Sequence, residues 1–292
     1  SSPLNTYWHI PNQAKFSRPD AASGNDSFLI VWDQTTNKVL SIYTSGGVSS
    51  KTLPNCTATT QANACPLDLS SSYANMADYS TSPGYQLLLG SGDSLHSAGN
   101  ALTIRTDEWM AGQINHAIYL NTICENGSTV FPSLDTALLC SSIGLSSANR
   151  PAHGALLFLD YTDTQIDAMN LPAWQKPVIR ALVHYGGYQG DTNGNQSPYT
   201  WHPSRFESGQ AYVYAGIVNP LYAWLESQGI SCIGSGSVGG SKCRYTLGFL
   251  KKIPNVSGPN CPTTSCGVDK HVHIADPCIP MGLAGLSGGC IS

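Results

Sequence analysis

Residues 28–43, FLIVWDQTTNKVLSIY, decide the fold class: two apolar runs rich in β-branched and aromatic residues flank a polar turn at Gln34 to Asn37, the pattern of a β-hairpin. Working outward, residues 44–85 are rich in Ser, Thr and Asn and read as a long loop stapled by Cys56 and Cys65, since a structureless stretch of that length needs a covalent tie. Further strands are expected over 114–123 and 270–275. Short helices are expected over 106–112, 162–169 and 173–185, the last with Pro177 in its first turn, and a fourth starts at Asn219-Pro220 and stops at Gly229. The expected fold is mainly β with a few short helices, sandwich-like or jelly-roll-like and stapled by disulfides. No repeat or low-complexity linker divides the chain, so 1–292 reads as one domain with a Cys/Gly-rich C-terminal segment from about residue 230.

Charge is scarce. Asp, Glu, Lys and Arg make up 11% of the 292 residues and the net charge is -4, so no basic cluster exists to displace counterions from a nucleic acid. A surface of Ser, Thr, Asn, Gly and Tyr suits a neutral, hydrated polymer better than a polyanion. No signal peptide and no apolar run long enough to span a bilayer is seen, so the chain reads as mature, soluble and without a membrane partner.

The ten cysteines fall in sequence-local couples: Cys56 with Cys65, Cys124 with Cys140, Cys232 with Cys243, Cys261 with Cys266, and Cys278 with Cys290. Local closure is the simplest scheme, although spacing leaves the connectivity open. No C-x2-C knuckle suggests zinc. Sequons stand at Asn25, Asn55, Asn126, Asn195 and Asn255, each beside turn-forming residues. Disulfides and glycan acceptors together point to a secreted, extracellular glycoprotein.

Reactive side chains cluster beside glycine in two segments, SGDSLHSAGNALTIR (91–105) and HYGGYQGDTNG (184–194), with GQINHAIYLN (112–121) between them. Glycine there would allow a bulky ligand to approach closely. Alternation along the expected strand puts His116 on a face with Ile114 and Ile118, which also fits a core histidine. The carboxylates Asp93, Asp107, Glu108, Asp191 and Glu207 show no pair at a spacing typical of glycosidases. His271 and His273 lie two apart on a strand near Asp276 without a third ligand in pattern, so no metal or other cofactor is expected. Trp109, Tyr188, Tyr199, Trp201 and Tyr214 lie in polar, glycine-rich surroundings suited to stacking on sugar rings, whereas Trp8, Trp32, Trp174 and Trp224 sit in apolar patterns and read as core.

INHAIY, RPAHGALLFLD, IRALVHYGGYQGDTNG and HIADPC, in that order, resemble the ordered blocks of a group of secreted microbial proteins, most of them without a known activity. The likeness spans roughly 93–278. It implies that His116, Tyr185 and Asp191 belong to shared elements. The order Arg105, GQINH, HYGGYQ is also similar to the blocks of jelly-roll polysaccharide lyases, though Asn115 breaks their Q-I-H triplet and their lysine is absent. That resemblance implies a base at His116, an acid at Tyr185 or Tyr188, and Arg105 neutralising a uronate carboxylate.

The sequence therefore leads to an extracellular carbohydrate-active enzyme, lyase or glycosidase, cleaving a polysaccharide by His/Tyr acid–base chemistry. Its expected catalytic set is His96, Arg105, His116, Tyr185 and Asp191, with Asp93, Trp109, Tyr188 and Trp201 binding substrate. The rival is a non-catalytic glycan-binding or self-assembling surface glycoprotein.

Overall fold

The computed structural model describes residues 8, 10, 26–45, 72–78, 95, 102–122, 124–131, 133, 135–148, 150–171, 173–192, 202–203, 227 and 272–275. The chain divides into two compact units, Ser1–Asn100 with Ser208–Tyr245, and Ala101–Glu207 with Thr246–Ser292. Sheets with a few short helices make up the described structure, which is mainly β.

The first unit holds the expected hairpin. Strand β1 (Asp26–Asp33) pairs antiparallel with β2 (Lys38–Ser45), Asp33 standing opposite Lys38. The Asp33 carboxylate accepts hydrogen bonds from Thr35 N at 2.9 Å, Thr36 N at 3.3 Å and Thr36 Oγ1 at 2.8 Å. Asn37 closes the turn at φ 54°, a left-handed conformation that Asn tolerates better than most residues. Leu29, Val31, Val39, Leu40 and Ile42 are buried. Trp32, expected in the core, is instead 50% exposed.

A third strand, β3 (Ser72–Asp78), pairs antiparallel with β2. It lies inside the stretch expected to be a loop. Its sequence, SYANMAD, is built mostly from small and polar residues that rank low for strands, so pairing with β2 rather than local preference makes it one.

The second unit is a five-stranded mixed sheet flanked by helices. In chain order come α1 (Thr106–Ala111), β4 (Ile118–Thr122), β5 (Leu156–Leu159), α2 (Asp163–Ala168), α3 (Lys176–His184), β6 (Gly187–Thr192), β7 (His202–Pro203) and β8 (Val272–Ala275). Across the sheet the order is β7-β4-β6-β5-β8. The helices begin and end where their residues dictate. Gly112 caps α1 at φ 78°, Thr162 and Gln165 form a reciprocal capping box at α2, and Pro177 sits in the first turn of α3. Val178, Ile179, Ala181 and Leu182 bury one face of α3. Trp109 is 1% exposed; its ring packs 6.2 Å from that of Trp174 and its Nε1 donates to Trp174 O at 2.7 Å.

Two features run against the sequence reading. Strand β4 starts at Ile118, leaving 113–117 as a connecting segment, and HYGGYQGDT continues past the end of α3 into β6 at the centre of the sheet. Strands β4 and β6 run parallel, with Ile118 opposite Gly187, and the register shifts after Leu120 because β6 carries Gly190 as an extra residue. A Cβ on Gly190 would lie 2.2 Å from Tyr119 ring carbons.

Cys124 and Cys140 form a disulfide, both fully buried; the other four expected couples lie outside the described residues. The described helices include none long and apolar enough to cross a membrane. Replacing Gly190 by Ala should cost about 1–3 kcal/mol, the range for forcing atoms into a packed interior. Urea unfolding measures it, and an unchanged midpoint would show that β6 does not approach Tyr119 this closely.

Candidate functional site

The parallel pairing gathers chemistry at one end of the second unit's sheet. The residues leading into β4 and those leading into β6 lie side by side there, joined by Ile118 N donating to Gly186 O at 3.2 Å. Gly112, Gln113, Ile114 and Asn115 from the first segment, Asp163 of α2, and Pro177, Arg180 and His184 of α3 with Tyr185 at its C-cap line a cleft of about 240 Å³. Tyr185 is 45% exposed. Its neighbour His184 holds Asp163 through Nε2–Oδ1 at 3.1 Å. Asp163 also faces Arg180 Nε at 3.5 Å, and the Arg180 Nη2 pairs with the Asp167 carboxylate.

A hydrogen bond from imidazole to carboxylate fixes the ring and its tautomer. In His184 it leaves Nδ1 without a partner among the described residues, next to a phenol that can also give or take a proton. The cleft therefore combines two proton-transfer groups with the amides of Gln113 and Asn115, which can each donate and accept.

His116 belongs to the neighbouring cluster and does not line the cleft. Its Nδ1 lies 2.7 Å from Ala117 O and its Nε2 lies 3.1 Å from Glu108 Oε2. Glu108 in turn receives the Arg105 amide at 3.2 Å and the Arg105 guanidinium. His116 Nε2 thus ties 112–117 to α1 through Glu108, its Nδ1 lies against the carbonyl of its own neighbour, and the Arg105 guanidinium is held by Glu108 at the start of α1. His116, expected as the base, and Arg105, expected to neutralise a carboxylate, both contact Glu108 of α1.

Asp191 stands four residues beyond Gly187, opposite Asn121, about 13 Å along the strand at roughly 3.3 Å per residue. Its Oδ1 accepts from Thr192 N at 2.6 Å. It is therefore apart from Tyr185. Trp109, expected to stack on sugar, has no open ring face because the Trp174 contact buries it. Tyr188 is half-buried on β6 and its burial raises the phenol pKa. Asp93, His96, Tyr199, Trp201, Tyr214, Glu207, His271, Asp276 and the sequons at Asn25, Asn55, Asn195 and Asn255 lie outside the described residues, and His273 is described only as the β8 backbone opposite Phe158. Asn126 is exposed; its Oδ1 accepts from Ser128 N and Oγ, and its Nδ2 donates to Arg150 O at 3.1 Å. No three His, Cys, Asp or Glu side chains converge among the described residues.

Sequence reasoning missed His184, Asp163 and Arg180 as a group. A signal existed, because Arg180 and His184 are four apart on the polar face of an amphipathic helix and HYGGYQ starts at His184. A second pair was also missed. His153 Nδ1 meets Glu125 Oε2 at 2.5 Å with both side chains fully buried, Glu125 Oε1 accepts from Ala137 N, and His153 Nε2 has no partner among the described residues. The pair ties the disulfide loop to the approach to β5.

No protein-family model, curated protein or solved structure matches the chain.

Replacing His116 by Ala should lower stability by about 1–3 kcal/mol, because Glu108 and Ala117 lose a partner in a partly buried position. Chemical denaturation checks it. Full stability with lost function would return His116 to a direct catalytic role.

Proposed function

We propose that this protein is an extracellular carbohydrate-active enzyme that cleaves a polysaccharide by acid–base chemistry of Tyr185 and His184. The observation that carries the reading is the cleft itself, where exposed Tyr185 stands beside a His184–Asp163 pair and two amide side chains. Glycosidic bond cleavage needs one group to remove a proton and another to protonate the leaving oxygen. An imidazole held by a carboxylate supplies the first and a phenol the second. Amides and an aromatic ring are the groups that bind sugar hydroxyls and sugar faces.

Supporting the extracellular setting is the buried Cys124–Cys140 disulfide, since such bonds persist outside reducing compartments. Supporting the lyase-like block order is the adjacency of β4, which follows the GQINH block, and β6, which carries the second half of the HYGGYQ block. The finer architecture belongs to the same proposal: a sandwich of sheets, from which the parallel sense of β4 and β6 is a departure, because jelly rolls are built from antiparallel strands. Membership in the secreted microbial group is part of the proposal too.

A panel of polysaccharides, assayed for new reducing ends and for unsaturated-sugar absorbance, tests it. Tyr185→Phe and His184→Ala should each lower turnover by about 100-fold or more, the scale of a positioned acid or base, with the unfolding midpoint unchanged. Cleavage that survives both substitutions would place the chemistry elsewhere. Retained glycan binding with no cleavage of any substrate would establish the non-catalytic alternative.

A further inference from the structure

We infer that the glycan taken by this cleft is neutral, not a uronate; the inference rests on the carbohydrate reading above and names its substrate class. Binding a uronate requires a cation whose charge is not already spent, because a carboxylate leaving water must regain that solvation from the site. Arg180, the one Lys or Arg among the described residues that line the cleft, fails this requirement. Arg180 lies between Asp163 and Asp167, facing the first through Nε at 3.5 Å and pairing with the second through Nη2. Lys176, one turn earlier on α3, is not part of the cleft lining; its ammonium donates to the backbone carbonyl of Asp167 at 2.8 Å. Around Arg180, one guanidinium therefore faces two carboxylates.

Arg105, the other arginine near the cleft wall, is held by Glu108. An acidic sugar entering the cleft would instead meet Asp163, the carboxylate that lines it. Repulsion between like charges at short range would disfavour that pose. A neutral sugar meets no such opposition, and Gln113 and Asn115 offer donors and acceptors for its hydroxyls. Among the described residues, the cleft thus holds no spare Lys or Arg to neutralise a uronate carboxylate in β-elimination, so it favours cleavage routes that need no acidic sugar.

Calorimetric titration of the full chain tests the inference, with cellohexaose, laminarihexaose, xylohexaose and mannohexaose as neutral probes and oligogalacturonate and oligoalginate as acidic ones. At least one neutral probe should bind more tightly than either acidic one. Asp167→Asn, which leaves Arg180 one carboxylate short, should raise acidic-probe affinity by about 2- to 5-fold, the scale of an exposed ion pair, and leave neutral-probe affinity unchanged. Preferential binding of an acidic probe by the unsubstituted chain would overturn the neutral assignment while leaving the carbohydrate reading standing. Binding of neither class would overturn the carbohydrate reading and the assignment with it.

Discussion

The second unit depends on how closely β6 approaches its neighbours. A Cβ on Gly186 would sit 2.7 Å from Leu156 Cδ1 and 2.9 Å from Leu157 O, and one on Gly187 would sit 2.5 Å from Leu120 Cδ1. Gly186 also turns the chain out of α3 at φ 74°, a conformation costly for a residue with a Cβ. These glycines let a helix end run straight into a central strand. That junction sets Tyr185 and His184 beside the segment entering β4, so the cleft is a consequence of backbone packing.

The two ends of that sheet are built differently. At the cleft end, ion pairs are half-exposed and contribute little stability individually, while their geometry positions groups that can exchange protons. At the other end, Glu125 and His153 are sealed beside the disulfide, and Gln189 is fully buried with its Nε2 donating to Asp191 O at 2.7 Å. Removing either partner of a sealed polar pair leaves the other buried and unsatisfied, which costs far more than the net contribution of the bond. The sealed end therefore fixes the strands and the open end is left for chemistry.

Local signals in the sequence carried much of this. The hairpin at 28–43, the helix with Pro177 in its first turn, the α1 stop at Gly112 and the Cys124–Cys140 couple were legible because a turn, a cap or a short covalent loop depends on nearby residues alone. The parallel pairing of β4 with β6 was not, because it joins segments separated by the whole of β5, α2 and α3. Without it, HYGGYQGD reads as a glycine-flanked loop open to ligand, when its glycines answer to Leu120, Tyr119 and Leu156. The same gap hid the surroundings of His116 and Trp109. Alternation put His116 on a strand it does not occupy, and nothing near Trp109 in sequence announces Trp174. Tyr185, expected as a catalytic residue, lines the cleft, and Asp163, Arg180 and His184, which line it too, come from α2 and α3.

The most direct measurement is a crystal structure of the chain with a bound oligosaccharide. This account predicts sugar density against Tyr185, within hydrogen-bond reach of Gln113 or Asn115, with the His184–Asp163 bond intact. Sugar bound at another surface, with Tyr185 and His184 untouched, would contradict it.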